Sequence, residues 1–152
     1  LPRLKWLWET MGKCRTLFSD LTRDDVDNFM SLVGNRHSYW LQVERDRESI
    51  GVIYFTDLHL VTECYAHVAF FDRKMDEKPE LCKKVMQWAF DKFKLHRLTV
   101  AVPSIYFVTI TLAKRVGFLP EGRRREVYLM GGKWIDEVML GVTREDLDGR
   151  IN

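Results

Sequence analysis

Glu63 and His67 stand four residues apart within Thr62 to Phe71, a run rich in aromatic and β-branched residues. If that run alternates as a strand, both side chains fall on one face. An imidazole with an ordinary pKa of about 6.5 suits proton abstraction at neutral pH. Tyr106 and Thr109, three apart in a helical pattern, share a helix face in the same way, and the tyrosine hydroxyl is a candidate proton donor. Plainer readings stand beside these: a solvated strand-end charge for Glu63, a hydrogen-bonded core histidine for His67, a packed aromatic for Tyr106. A cationic group, Arg73, Lys74, Lys78, Lys83 and Lys84, gathers where Pro79 opens a helix and is suited to direct phosphate contact. Asp76, Glu77 and Glu80 sit among these cations. His37, His59 and His96 are scattered without the spacing of a ligand pair, so no metal is assigned.

The elements that must position these residues follow from the apolar pattern. Thr22, Asp24 and Asp25 place a capping hydroxyl and acids ahead of Val26, Phe29, Met30 and Val33, and Gly34-Asn35 closes that helix. A strand over Arg15 to Ser19 precedes it. Ser38 to Glu44, Ser49 to Phe55 and Thr62 to Phe71 read as an antiparallel meander, with Arg45 to Glu48 as the first turn. Leu81, Val85, Trp88, Ala89 and Phe93 then recur at helical intervals. Arg97 to Val102 alternates as a central strand, and Ile105, Val108, Leu112 and Val116 mark a second helix that ends at Gly117. Gly131-Gly132 joins Glu126 to Met130 with Trp134 to Val142 as a hairpin. The order is β-α-β-β-β-α-β-α-β-β. It implies an α+β fold, a mixed central sheet flanked by helices, as one domain over residues 14–152.

Residues 1–13 form an amphipathic segment carrying Leu4, Trp6, Leu7, Trp8 and Met11 among basic residues. They read either as a helix packing its tryptophans on the domain or as a docking segment for a partner or membrane surface. The chain does not begin with Met, so its start is read as processed, trimmed or part of a longer sequence. A length of 152 residues suffices for one core, and a net charge of only +2 excludes a nucleic-acid-coating protein. Three cysteines without C-x-x-C pairing point to a reducing compartment, the cytoplasm by default. No apolar run reaches the length of a membrane span.

The ordered strings Trp88-Ala89-Phe90, Leu95-His96-Arg97, Leu112-Ala113-Lys114-Arg115-Val116-Gly117-Phe118, Glu121-Gly122-Arg123 and Gly132-Lys133-Trp134-Ile135-Asp136 carry a further signal. Together they resemble the GNAT superfamily of acetyl-CoA-dependent N-acetyltransferases, in particular the branch that acetylates ribosomal-protein N-termini and related small amines. The resemblance covers about Arg15 to Leu147. It implies that the last meander strand splays from its parallel neighbour and opens a V-shaped slot for the pantetheine arm of acetyl-CoA. Backbone amides around Ala69 and Phe71 are then expected to hold that arm and the carbonyl. Arg73, Lys74 and Lys78 are expected toward the pyrophosphate at the next helix N-terminus, and Glu63 or His67 becomes the base. A tyrosine acid, five residues before the Phe of Gly-Phe, is replaced by Ala113; Thr109 falls at the hydroxyl position the branch uses instead, and Tyr106 replaces the usual Asn.

One departure weighs on that expectation. The family's phosphate motif, Arg/Gln-x-x-Gly-x-Gly/Ala, falls on Arg73-Lys74-Met75-Asp76-Glu77-Lys78, so both glycines are gone. Acids in a helix's first turn each stabilise it by about 0.3–1 kcal/mol, satisfying the same positive end that a diphosphate needs. An incoming phosphate would meet like charge worth roughly 3–4 kcal/mol per close pair. Weakened acetyl-CoA binding is the expectation. Two functions follow: an N-acetyltransferase acting on a protein N-terminus or small amine, or a catalytically degenerate GNAT-fold module. The latter would bind protein partners within a virion or multisubunit complex. Neither involves a specific nucleic acid: the Arg123-Arg124-Arg125 triplet reads as a solvated strand end, or as an acidic-partner or nucleic-acid contact that the near-neutral total charge does not support.

Overall fold

In the computed structural model the described residues are 2–13, 26–72, 74 and 76–151. The strand expected over 15–19, the caps at 22–25, and Arg73 lie outside them. The elements run α1 (Pro2–Lys13), α2 (Val26–Val33), β1 (Tyr39–Arg45), β2 (Glu48–His59), β3 (Glu63–Phe70), α3 (Lys78–Phe93), β4 (Arg97–Pro103), α4 (Phe107–Val116), β5 (Leu119–Met130), β6 (Lys133–Thr143) and α5 (Arg144–Ile151). The six strands form one mixed sheet in the order β1-β2-β3-β4-β6-β5, with β3 and β4 its parallel pair. The α+β expectation therefore holds.

Turn chemistry sets the registers that matter for the site. Arg45 pairs directly with Glu48, leaving a two-residue turn of Asp46 and Arg47, both at positive φ. That is tighter than the four-residue turn expected, and it matches the right-handed twist of the flanking strands. Gly131 and Gly132 (φ 59° and 73°) make the corresponding turn between β5 and β6. Glycine adopts that geometry without a Cβ penalty. β5 begins at Leu119, seven residues earlier than the apolar pattern suggested, because its first half is a polar, exposed edge. An irregularity between Arg124 and Tyr128, with Glu126 at φ 54°, interrupts its ladder with β6.

Two apolar clusters lie on opposite faces of the sheet. Phe90, Leu98, Leu140 and Cys64, each at 0% exposure, anchor the one beneath α3 and α4. On the other face Leu7 and Met11 of α1 join Phe29, Val52 and Ala69. The N-terminal helix thus packs against the sheet, the first of its two readings. α5 was not anticipated, although Thr143 and Asp146 form a reciprocal cap. Arg144 behind that cap donates to the carbonyls of Phe90 (2.6 Å) and Leu95 (3.3 Å) at the end of α3.

Candidate active site

The parallel β3–β4 ladder lasts only three residue pairs, Glu63–Arg97, Cys64–Leu98 and Tyr65–Thr99. Beyond it β3 stays paired with β2 as far as Phe70, and β4 with β6 as far as Pro103. Between the unpaired lengths opens a cavity of about 1130 Å³. It is lined by Ala66 to Phe70 on one side and Val100 to Pro103 on the other. Phe71 N–H is donated to Ile50 O of the β2 edge (2.8 Å). Backbone direction alternates along a strand, so Ala69 also faces β2, and the groups turned to the slot belong to Ala66, Val68 and Phe70. This moves the expected backbone contacts one residue away from Ala69 and Phe71. Ala69 is still among the residues that line the cavity.

His67 stands on the wall facing away from α3. Its ring stacks on Tyr54 (centroids 4.6 Å apart, planes 9° apart), and Tyr54 stacks on Trp40 (4.0 Å, 1°). These are cross-strand neighbours on β3, β2 and β1, so the registers Tyr54↔His67 and Trp40↔Tyr54 generate the ladder. The ladder fixes the imidazole plane, and Nε2 lies 2.8 Å from Thr56 Oγ1. Burial pushes the histidine pKa down to about 4, with Asp57 acting weakly the other way. His67 is therefore neutral at physiological pH, as a proton acceptor must be.

Glu63 is not brought to the cavity. It sits at the closed end of the V, 3.6 Å from Arg97, with its side chain 43% exposed. Arg97 also pairs with Glu121 at 2.5 Å, so both acids brace the sheet where β3 and β4 are still joined. Tyr106 and Thr109 do line the cavity. Tyr106 precedes α4, its hydroxyl donates to Met130 Sδ (3.9 Å), and burial raises its pKa.

Opposite His67 lies a cluster that the sequence reading did not single out. Glu137, 4% exposed, accepts from Arg124 Nη1 (2.8 Å) and from the Tyr128 hydroxyl, and all three line the cavity. Burial and the adjacent carboxylate both push the Tyr128 pKa up, holding the phenol in its neutral, donating form. The available signal was an acid pair, Asp136-Glu137, inside the otherwise apolar run Trp134 to Val142. Thr56 and Asp57 were likewise missed because the apolar run of β2 ended at Phe55.

The approach to α3 is built differently. Lys78 is 1% exposed: Nζ donates to Asp72 O (2.8 Å), pairs with Asp72 Oδ1 (3.0 Å) and lies 4.8 Å from the centre of the Phe70 ring. It is turned inward rather than offered at the surface. Arg45 reaches from the β1 turn to Asp72 Oδ2 (2.7 Å) and to Glu77. Arg45 and Lys78 hold the Asp72 carboxyl below its usual range. Lys74, Lys83 and Lys84 are exposed, and Lys83 pairs with Glu80 at 2.9 Å. Among the described residues no group of three or more His, Cys, Asp or Glu is placed to hold a metal, and no helix is long and apolar enough to cross a membrane.

A family model described as an acetyltransferase (GNAT) domain matches residues 21–139. The chain is 24% identical over 112 residues to the SPbeta prophage-derived uncharacterized N-acetyltransferase YokL of Bacillus subtilis (strain 168). That match spans 72% of this chain and 63% of the relative, so the chain corresponds to less than two thirds of the relative's length. The structure is similar to a spermidine N-acetyltransferase from Vibrio cholerae in complex with CoA and spermine, at TM-score 0.79 and 13% identity over 95% of this chain and 91% of that one. It is also similar to a ribosomal-protein-alanine N-acetyltransferase from Brucella melitensis, at TM-score 0.75 and 18% identity over 92% and 93% of the two chains.

Proposed function

The chain belongs to the GNAT acetyltransferase domain family, and from that premise we propose that it is an acetyl-CoA-dependent N-acetyltransferase acting on a protein N-terminus or small amine. The observation that carries the reading is the parting of β3 from β4 onto a cavity that has a neutral histidine on its wall. The residues there suit the pantetheine arm. Ala66, Val68 and Phe70 turn backbone groups into the gap, where an extended amide-bearing chain can pair as an added strand does. Lys74 and Lys84 are exposed near the diphosphate end, and Arg73 remains a proposed contact there.

Acetyl-CoA supplies a thioester: the amine nitrogen gains the acetyl carbon, the C–S bond breaks, the sulfur leaves as the CoA thiol, and one proton is released overall. His67 takes the ammonium proton that must leave before nitrogen can attack, with Thr56 holding Nε2 and the Tyr54 stack holding the ring. Tyr106 and Thr109 are the proposed hydroxyls for returning a proton to sulfur.

One feature supports the alternative, a degenerate family member serving as an assembly module. The turn before α3 is braced by Arg45, Asp72, Glu77 and Lys78, so this chain's own charges fill the neighbourhood of a helix N-terminus. Titration calorimetry with acetyl-CoA, followed by mass spectrometry of peptide and amine acceptors, separates the two. Saturable binding and an acetylated product are expected. Absence of both, in a folded protein, would leave the assembly reading.

A further inference from the structure

We propose that the acceptor side of the cavity selects a singly charged amine, the α-ammonium of a peptide, and rejects polyamines. This rests on the acetyltransferase reading and narrows its acceptor. Three carboxylates and two cations line the cavity: Asp57, Asp72 and Glu137 against Lys78 and Arg124. Asp72 is held by Arg45 and Lys78, and Glu137 by Arg124. Among the described residues no ion pair engages Asp57, which therefore supplies the single net negative charge of the wall. It lies close enough to His67 to act on it electrostatically. One ammonium near His67 is matched by one carboxylate.

A polyamine brings at least two further charges into the same space. There they meet Arg124, whose guanidinium cancels the one other acid facing that side. This exposed guanidinium on the wall repels a polycation and suits a neutral or acidic residue after the first position of a peptide.

Proton affinity points the same way. The α-amine of a peptide titrates about 2–3 units below an alkyl amine, so its free base is a few hundred-fold more abundant at neutral pH. A histidine kept neutral by burial, and weakly basic for the same reason, works best on the amine that gives up its proton most readily.

The test compares initial rates for spermidine and for a tetrapeptide with a neutral first and an acidic second residue, using the full chain and acetyl-CoA. The proposal expects kcat/KM at least tenfold higher for the peptide. Equal or better use of spermidine overturns it while leaving the acetyltransferase reading intact. Acetylation of neither acceptor defeats both. Arg124→Gln, at a side chain 63% exposed, should lower the spermidine KM several-fold, whereas Arg124→Lys should retain the discrimination. If Arg124→Gln fails to fold, Asp57→Asn serves instead and should raise the peptide KM several-fold with little change in kcat. An unchanged KM in the folded variant, Arg124→Gln or its replacement, overturns the proposal.

Discussion

The two ends of the slot obey opposite rules. At the β3–β4 end, strand pairing stops, backbone groups turn into open space, and apolar and aromatic side chains shape the walls. At the α3 end, the chain satisfies itself: Lys78 points inward, Asp72 bridges two cations, and Arg45 ties the turn to Glu77. One end is organised to receive a ligand and the other is already neutralised. A diphosphate at that end would compete with these intramolecular pairs, of which the exposed Arg45–Glu77 contact is worth little and the Lys78–Asp72 pair is largely buried.

The contrast is tested first at the open end. Replacing His67 by Gln should lower kcat by about 10²–10⁴ while acetyl-CoA affinity stays within a few-fold, as measured by steady-state rates beside calorimetry. A rate within threefold of wild type would remove His67 from the chemistry. The same histidine gives a stability signature. Its folded pKa of about 4 lies below the unfolded value, so between roughly pH 6.5 and pH 4 the unfolded chain takes up a proton that the folded chain does not. Stability should fall as pH drops through that window, by up to about 3 kcal/mol, and the fall should be shallower in His67→Gln when followed by denaturant unfolding.

Next in size, Ala66→Trp should fill the gap between β3 and β4 and weaken acetyl-CoA binding by about tenfold or more, roughly 1.4 kcal/mol or above. Unchanged affinity would mean that the arm does not lie there. The smallest effect belongs to the braced end. Asp76→Asn with Glu77→Gln removes two exposed charges and should improve acetyl-CoA affinity about two- to fivefold at low salt, the gain shrinking as salt screens it. A gain that persists at high salt would contradict an electrostatic origin.

Much of this was legible in the chain. Helical spacing from Leu81 to Phe93, alternation in β3 and β4, and Gly131-Gly132 place the sheet, and the strand carrying His67 was readable as such. Glu63 was misplaced because a face can be inferred from alternation but not whether its strand is still paired at that point. The backbone groups of Ala69 and Phe71 face β2 and not the slot, since the edge a backbone group faces depends on cross-strand register. β5 was cut short because an exposed edge strand carries no apolar pattern, and Arg124 lost its meaning with it. Lys78 looked like a phosphate ligand in a cluster of like charges, and only the proximity of Asp72 and Phe70 shows it turned inward.

Local pattern determined which segments fold as helix or strand, where the turns fall, and that charged residues, Asp76, Glu77 and Lys78, lead into α3, because these depend on neighbours within a few residues. Packing across the sheet decided the rest: where β3 leaves β4, that Tyr54 holds His67, and that Glu137, Tyr128 and Arg124 meet on the opposite wall. Each of those joins residues from different strands, and contact between strands is set by register and twist, which no local stretch of sequence contains.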